Sequence, residues 1–315
     1  MRALFLSAGF GKRLRPLTDH IAKPAVPFLN VPMLGYPVFL AEHLGINEAM
    51  VNLHHLPETV KQATQSLSSN IDFQFIIEEP NILDSGGGIK NAESFLNHDE
   101  DFWVFNGDTI CLFDSMEAIS KVKSQHQSSG AIATILVCPF PSGHKSLGGV
   151  FVKDDTKTID HFSKTDRGSG LTPYHYIGVC LYSKKIFDYL PANQPSNILY
   201  DGVTQAFQDG HRAEVVIAKQ ARWFETGNSN DYLKATHSCL KALSTEKDPH
   251  RDHLEMVLDR FSPHWKSGFT VSDDFTTLIQ PGSKISQSAR FRGFAVIDKD
   301  CEAADECEVK NSVLV

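Results

Sequence analysis

The N-terminal stretch places the strongest constraint on how this 315-residue chain can fold. The apolar run at residues 4–6 predicts a buried strand, and it leads directly into residues 9–15, where two glycines are followed by three basic side chains. Glycines let backbone N–H groups approach an anion closely. The guanidinium of Arg13 can donate hydrogen bonds to two phosphate oxygens at once, and Lys23 can supply a point charge. The stretch therefore predicts a phosphate site at the end of the first strand.

Two common phosphate-binding motifs are absent from this loop. A dinucleotide-binding fingerprint needs a third glycine where Leu14 stands, and a P-loop needs Gly-Lys-Ser or Gly-Lys-Thr after four spacer residues. A glycine pair after a strand is also compatible with a simple tight turn. The specific part of the pattern is its continuation into Pro-Leu-Thr at residues 16–18 and the later Lys-Pro at residues 23–24.

Strands and helices alternate after this loop. The apolar spacing predicts a helix over 32–44, a strand over 49–53, a helix from Pro57 to about Leu67 and a strand over 71–77. Such a succession implies a parallel sheet with right-handed crossovers, in which ligands bind at the carboxyl ends of the strands. The predicted phosphate loop lies at such an end.

Polar residues follow two further strands at the same predicted edge. Residues 84–88, Asp-Ser-Gly-Gly-Gly, open a helix predicted to run to Leu96, and the glycines would let the backbone lie against a planar or anionic ligand. Asp108 follows the apolar strand 102–105 and is predicted to be a Mg²⁺ ligand, because this ion takes carboxylate and phosphate oxygens. The neighbouring His54 and His55 would point to opposite faces of a strand, which argues against a two-histidine metal site.

The C-terminal segment has a six-residue period. Such a period fits neither a helix nor an ordinary strand, and it predicts a short left-handed parallel β-helix of about two coils. The apolar positions of this period are Ile279, Ile285, Phe291, Ile297, Ala303, Val309 and Val315. Because so few coils are marginal alone, we expect them to pack on the rest of the chain or on a second copy in a homo-oligomer.

The composition is that of an ordinary globular protein. A net charge of −8 argues against nucleic acid as a partner, since phosphate backbone requires a basic face. No window approaches eighteen uninterrupted apolar residues and the N-terminus is not a cleavable leader, so no membrane partner and a cytoplasmic location are expected. The six cysteines form no Cys-x-x-Cys pair, which gives no indication of zinc or redox chemistry.

With its Lys-Arg-Leu-x-Pro-Leu-Thr at residues 12–18 and its Lys-Pro, the chain resembles the sugar-1-phosphate nucleotidyltransferases. Among these it is similar to N-acetylmuramate-1-phosphate uridylyltransferases through residues 52–55 and 84–88, and to mannose-1-phosphate guanylyltransferases through the opening motif and the C-terminal repeat. The resemblance implies a Rossmann-like three-layer αβα domain with a mixed, mainly parallel sheet. It also implies that a nucleoside triphosphate and a sugar 1-phosphate react with Mg²⁺ to give a nucleotide sugar and pyrophosphate. The base and the sugar stay open.

The resemblance assigns site residues as follows. The catalytic residues would be Arg13, Lys23 and Asp108. The nucleotide would contact Leu6, Ala8, Gly9, Gly11, Lys12, Arg13, Asp84, Ser85, Gly86 and Gly87. The sugar phosphate would contact Asn106, Gly149, Lys164, Tyr176 and Gly178. The metal would be held by Asp108 and Glu225.

Two segments depart from the family pattern. Glu225 stands where the family has the second metal-binding Asp, and a Glu keeps the negative charge but reaches one methylene further. Asn228 stands where the family has Thr. In the region of Gly143, Gly148 and Gly149, strands at 150–152 and 159–162 with a turn at 154–155 predict a hairpin over the site. After it the family's Glu-Lys-Pro becomes Ser-Lys-Thr at residues 163–165, which keeps only Lys164.

Two other functions remain open from the sequence. The altered positions are compatible with a non-catalytic nucleotide-sugar-binding regulatory subunit. The other alternative is a glycosyltransferase of related architecture, which would be expected to carry an Asp-x-Asp motif, whereas residues 106–108 hold one carboxylate. For the domains we expect a catalytic unit over 1–244, a connector over 245–270 and the β-helix over 271–315.

Overall fold

The structure is a computed structural model that describes residues 1–141, 147–153, 157–164 and 170–315. Gly143, the predicted turn at 154–155 and Thr165 lie outside the described residues. No helix in the described ranges is both long enough and apolar enough to cross a lipid bilayer.

The strands of the described residues have these bounds: β1 (Ala3–Leu6), β2 (Pro27–Phe28), β3 (Val31–Pro32), β4 (Glu48–Leu53), β5 (Asp72–Ile77), β6 (Asp101–Asn106), β7 (Ile110–Leu112), β8 (Ala133–Pro139), β9 (Gly149–Val152), β10 (Ile159–Ser163), β11 (Thr172–Ser183), β12 (Ala213–Ile217), β13 (Arg222–Phe224), β14 (Phe269–Val271), β15 (Phe275–Ile279), β16 (Lys284–Ile285), β17 (Arg290–Ile297), β18 (Glu302–Ala303) and β19 (Glu308–Leu314).

The α-helices are α1 (Gly35–His43), α2 (Pro57–Ser66), α3 (Asp84–Asn91), α4 (Glu93–Leu96), α5 (Glu117–Ser129), α6 (Thr204–Gln208), α7 (Ser229–Ser244), α8 (Arg251–Phe261) and α9 (Trp265–Gly268). Short 3-10 turns cover Lys12–Leu14, Leu17–Asp19, Lys23–Ala25 and Lys184–Tyr189, and a π-helical turn covers Ile198–Val203.

The main sheet is mixed, as expected. Its strand order is β10-β9-β11-β6-β1-β4-β5, with β8 also paired to β11 and β12 paired to β8. The strands β6, β1, β4 and β5 run parallel, and β11 is antiparallel to β6, β8 and β9. The parallel part places the carboxyl ends of β1, β4 and β6 at one edge, and the predicted hairpin is present as the antiparallel pair β9 and β10.

The three layers follow from side-chain alternation along the central strands. In β6, Trp103 and Phe105 belong to one buried cluster and Phe102 and Val104 to the other, because successive side chains point to opposite faces of a sheet. Helices α1, α2, α5, α7 and α8 cover the first face, whereas α3, α4 and α6 cover the second. A fully apolar strand is therefore the signature of a sheet buried on both sides.

One helix boundary differs from the sequence prediction. The segment predicted as a single helix from Asp84 to Leu96 is divided into α3 and α4 at Ala92, whose backbone leaves the helical region at φ −89° and ψ 6°. Its amide still donates to the carbonyls of Gly88 and Ile89, so the amide at the break keeps hydrogen-bond partners.

The C-terminal strands from β15 onward pair in parallel, with an offset of 18 residues that holds up to Arg292. Phe275 pairs with Gly293, Lys284 with Glu302, and Arg290 with Glu308, and each pair is 18 residues apart (293−275, 302−284, 308−290). The positions of the six-residue period thereby stack on one another, as in Ile279 on Ile297, Ile285 on Ala303 and Phe291 on Val309. The register of β17 on β19 then shifts by one residue between Arg292 and Ala295, so that Ile297 pairs with Leu314. Val315, the last position of the period, is therefore out of the stack and is 50% exposed.

The C-terminal strands share a core with the α/β sheet. Leu278, Phe294 and Val296 belong to the same buried cluster as Leu240 of α7 and Leu254 of α8. The predicted connector carries α8, and the ring of Phe294 also stacks on His237 of α7, with the ring centroids 5.1 Å apart. This packing buries apolar side chains of the C-terminal strands against α7 and α8.

Candidate active site

A cleft of about 420 Å³ opens at the carboxyl ends of β1, β4 and β6. Its lining residues are Leu6, Ser7, Ala8, Gly9, Gly11, Lys12, Arg13, Lys23, Pro24, Asn52, Ile82, Asp84, Ser85, Asn106, Asp108 and Gly227. The structure thus brings together eleven predicted site residues, Leu6, Ala8, Gly9, Gly11, Lys12, Arg13, Lys23, Asp84, Ser85, Asn106 and Asp108. This edge is where a parallel α/β sheet binds ligands.

The glycine loop turns sharply because of Gly11. This residue has a left-handed backbone (φ 61°), and its carbonyl accepts hydrogen bonds from the Leu14 amide and the Thr18 hydroxyl, both at 2.9 Å. A side chain in the left-handed region is strained, and a Cβ here would also lie 3.0 Å from the Thr18 methyl group. The turn carries the basic side chains of Lys12 and Arg13 to the mouth of the cleft.

A buried polar network supports the loop from below. The Ser7 amide donates to Asn52 Oδ1 (2.7 Å), Asn52 Nδ2 donates to Glu78 Oε1 (2.6 Å), and the Leu83 amide donates to Glu78 Oε2 (2.7 Å). Burial of the Glu78 carboxyl raises its pKa. The network joins the ends of β1, β4 and β5 to the start of α3, and the only sequence signal for it is that Asn52 and Glu78 both stand where strands end.

The three glycines at 86–88 serve packing in this structure. They lie inside α3 and are buried, and the Gly86 amide donates to the Ser196 carbonyl at 2.7 Å. A Cβ on Gly87 would lie 2.4 Å from the carbonyl oxygen of Gln194. Gly86 and Gly87 are therefore absent from the cleft lining, in contrast to the predicted open backbone, because residues 194–196 cover their outer side. The Ser85 hydroxyl accepts from the Ile198 amide (3.1 Å).

Lys23 and Asp108 form the central ion pair of the site. Lys23 Nζ donates to Asp108 Oδ2 at 2.8 Å, and the side chains are 12% and 37% exposed. Gly107 allows Asp108 to lie this close to β1, since a Cβ at Gly107 would be 2.2 Å from Ser7 Oγ. Both side chains project from loops that begin at neighbouring parallel strands, which is why residues 85 positions apart meet.

A second, smaller pocket of about 190 Å³ adjoins the cleft. It is lined by Arg13, Lys23, Asn106, Asp108, Thr109, His175, Tyr176, Trp223, Phe224, Glu225 and Thr226. Four of these residues, Arg13, Lys23, Asn106 and Asp108, line both spaces. The two pockets therefore meet at charged side chains.

Glu225 lies at this junction. Its side chain is 11% exposed, and Oε1 accepts from the Gly227 amide at 2.6 Å and lies 3.7 Å from Arg13 Nη2. A Cβ at Gly227 would lie 2.5 Å from both of these side-chain atoms. A glycine at 227 thus lets the acid bend back to its own loop and still face Arg13.

The predicted sugar-phosphate residues are only partly brought together. Asn106 and Tyr176 line the smaller pocket. Gly178, at φ 82° beside the irregularity in β11, lies behind it, where a Cβ would be 2.6 Å from Thr109 Oγ1. Gly149 is buried in β9, and Lys164 extends its ammonium over the ring of Tyr200 at 5.6 Å, so neither lines the two pockets.

The aromatic wall of the smaller pocket was missed by the sequence predictions. The rings of His175 and Trp223 lie 4.1 Å apart, and Thr109 and Thr226 add hydroxyl groups. The sequence signal that could have found these two rings is their nearness to predicted site residues: Trp223 stands two residues before Glu225, and His175 directly precedes Tyr176. In an extended chain, residues two apart share a face.

The donor set at the junction fits a hard divalent cation. Asp108 and Glu225 line the same pocket, and the Asn106 side chain adds an amide. The described residues contain no group of three or more His, Cys, Asp and Glu side chains arranged around a metal position. Two carboxylates completed by water and phosphate oxygens are a typical Mg²⁺ environment.

The fold and the junction of the two pockets define a nucleotidyl transferase. The family model described as nucleotidyl transferase matches residues 2–242, and the chain belongs to that family, as the sequence motifs predicted.

Individual relatives act on different sugar phosphates. The chain is 29% identical over 254 residues to the UTP–glucose-1-phosphate uridylyltransferase of Synechocystis sp., a match covering 76% of this chain and 63% of that relative, less than two thirds of its length. It is 27% identical over 297 residues to the mannose-1-phosphate guanyltransferase of Yarrowia lipolytica, covering 91% of this chain and 73% of the relative.

A solved structure shows the same fold. The UDP-glucose pyrophosphorylase from Acinetobacter baumannii has a TM-score of 0.65 at 21% identity and covers 82% of this chain and 98% of that chain.

Proposed function

We propose that this protein transfers a nucleotidyl group from a nucleoside triphosphate to a sugar 1-phosphate and releases pyrophosphate. The observation that carries the proposal is the meeting of two pockets at Arg13, Lys23, Asn106 and Asp108. Transfer between two polyanions requires each to have its own space and both to face shared cations where the bond forms.

The reaction is an in-line displacement at the α-phosphorus. An oxygen of the sugar phosphate forms the new P–O bond while the bond to the bridging oxygen of pyrophosphate breaks, and pyrophosphate leaves with the electron pair. The attacking phosphate is already ionised, so no general base is required. The work of the protein is to neutralise charge and align the two phosphates.

The residues divide this work by position. The glycine loop with Lys12 and Arg13 would hold the triphosphate, with Asp84 and Ser85 toward the base. Lys23, whose side chain is 12% exposed and whose Nζ lies 2.8 Å from Asp108 Oδ2, would stabilise charge on the α-phosphoryl group. Asn106, Tyr176 and the His175–Trp223 wall would hold the acceptor. The role of Lys164 toward the sugar phosphate stays a prediction.

Mg²⁺ is the cofactor we infer for this site, and Asp108 and Glu225 would hold it. When bound, it would supply positive charge that neutralises the phosphates. Each carboxylate already faces a cation, Lys23 at 2.8 Å and Arg13 at 3.7 Å, so the four side chains form an alternating arrangement of charge.

Pyrophosphate release is the direct test. The protein is incubated with Mg²⁺, each of UTP, GTP, ATP, CTP and dTTP, and a panel of glucose, mannose and N-acetylated sugar 1-phosphates. UTP and GTP must both be present because the relatives include both specificities. Release that depends on one nucleotide and one sugar phosphate supports the proposal. Nucleotide binding without release across the panel would favour a regulatory subunit.

The C-terminal strands would form the short left-handed parallel β-helix expected from the six-residue period. The 18-residue offset of β15 on β17, of β16 on β18 and of β17 on β19 up to Arg292 supports this, because three sides of six residues make one coil. Sedimentation velocity over a range of protein concentrations tests whether these coils also join a homo-oligomer.

A further inference from the structure

We propose that the corner between β4 and α2 positions the phosphate loop and Lys23, with His55 as the principal positioning residue. The inference rests on the proposed function of the cleft. It starts from contacts that the reaction itself does not use. Residues 54–59 contact the loop segment at three places, and none of them lines either pocket.

The first contact joins Phe10 of the glycine loop to His54 and His55 of the corner. Phe10 stands between the two glycines in the sequence, and its ring contacts the rings of His54 and His55 at centroid distances of 5.1 and 5.7 Å. Lys12 Nζ lies 4.8 Å from the centroid of the same Phe10 ring. A cation over an aromatic ring is held by the electron-rich face, so the stack sets the position of Lys12 at the cleft.

The second contact runs through His55. Its Nε2 donates to the Thr18 carbonyl at 2.7 Å, and the Thr18 hydroxyl in turn donates to the Gly11 carbonyl at 2.9 Å. Gly11 is the residue with the left-handed backbone that turns the loop. Two hydrogen bonds in series therefore join His55 to the turning point of the phosphate loop.

The third contact lies just before Lys23. The Thr59 hydroxyl accepts from the Ala22 amide at 3.0 Å and donates to the Leu56 carbonyl at 2.7 Å. Leu56 has a left-handed backbone (φ 46°), which turns the chain from β4 into α2. His55 and Thr59 thus fasten the two ends of residues 18–22, the segment that links the glycine loop to Lys23.

The corner is itself rigidly placed. His54 Nδ1 donates to the Glu78 carbonyl at 2.8 Å, and the Glu78 side chain is held by Asn52 and the Leu83 amide. The phosphate loop, Lys23 and the start of α3 are consequently held to one frame. A preformed frame lowers the ordering cost of binding a polyanion.

The experiment compares His55→Ala, His55→Gln and Thr59→Val with a control, Thr64→Val. Thr64 lies on the same helix, and its hydroxyl donates to the Val60 carbonyl within α2 at 2.8 Å. Gln places an N–H donor near the position of His Nε2 and should restore the bond to Thr18. For His55→Ala we expect the KM for the nucleotide to rise about three- to tenfold, the effect of one lost hydrogen bond, with kcat changed less.

Two measurements make the result decisive. Amide hydrogen exchange of residues 9–22 should quicken in His55→Ala and Thr59→Val and return toward wild type in His55→Gln. An unchanged exchange rate and KM in His55→Ala, or an equal rise of KM in Thr64→Val, would overturn the inference. If the wild-type protein releases no pyrophosphate, the proposed function fails, and the exchange measurement still decides whether the corner holds the loop.

Discussion

Replacing Lys23 by Met separates the catalytic from the structural value of the central ion pair. Met keeps the length and the apolar stem of the side chain and removes its charge. In the structure Lys23 Nζ lies 2.8 Å from Asp108 Oδ2, and Asp108 is 37% exposed. At an effective dielectric constant of about 20 the direct attraction at this distance is about 6 kcal/mol, most of which is offset by desolvation and side-chain ordering.

The expected effects on stability and on turnover differ strongly. Because one partner of the pair is partly solvated, the net loss of unfolding free energy should be about 1 kcal/mol or less. Turnover should fall by about two to three orders of magnitude, or roughly 3 to 4 kcal/mol of activation free energy, since the charge acts on a developing phosphoryl charge in a confined site.

Steady-state pyrophosphate release and urea unfolding give the two quantities. Lys61→Met is the matched control, because Lys61 Nζ lies 2.7 Å from Glu58 Oε1 on α2, outside both pockets. It should alter neither activity nor stability by more than the assay error. If Lys23→Met retained more than a third of wild-type turnover, Lys23 would not stabilise the transferred group and the assignment would be wrong.

Three further predictions address sterics, pH and the metal. Gly107→Ala should lower activity and cost about 1 to 3 kcal/mol of stability, because its Cβ would lie 2.2 Å from Ser7 Oγ. Adding Ser7→Ala should restore part of the stability in unfolding assays and part of the activity in turnover assays. If the double variant recovered neither, the contact with Ser7 would not be the cause. The pKa of His253 is lowered to about 4 by burial and by the nearby His250 and His43. The neutral form is thus favoured in the folded state, and unfolding free energy should fall by about 3 kcal/mol as the pH drops from about 6.5 to about 4. Urea unfolding at several pH values gives the unfolding free energy as a function of pH, and its slope should be smaller in His253→Phe than in the wild type. An equal slope in the two proteins would exclude His253 as the source of the pH dependence. Chelation with EDTA should abolish pyrophosphate release, and added Mg²⁺ should restore it. EDTA should not lower Tm, because the described residues hold no cluster of three or more His, Cys, Asp and Glu side chains that would bind a structural ion. A large drop in Tm on chelation would contradict this.

The parts of the fold that follow from local pattern were predictable. A buried strand ending in glycines and basic residues placed the glycine loop at the edge of the sheet, and the apolar strand before Asp108 placed that carboxylate at the same edge. Both predictions needed only the period of a strand and the rule that parallel strands end together. The 18-residue offset of the C-terminal strands up to Arg292 likewise agrees with a period visible in the chain, and the shift after Arg292 does not.

Other features depended on contacts between distant segments. The glycines at 86–88 have the composition of an open ligand-binding turn, and only residues 194–196, packed against them, give them a packing role. Lys164 keeps the family's lysine, but in the structure its ammonium lies over Tyr200, away from both pockets. The link from His55 to Thr18 had no sequence signal, since a histidine at a strand end has many possible partners.

The sequence by itself determined the family, because the glycine, basic and acidic motifs that mark it stand at strand ends and their spacing is local. The tertiary structure decided which charges face one another. Lys23 meets Asp108 across 85 residues, and Arg13 meets Glu225 across more than 200, through loops whose approach is set by the order of strands in the sheet. Side-chain pairing at such separations depends on packing to within an ångström, which no periodicity in a sequence specifies.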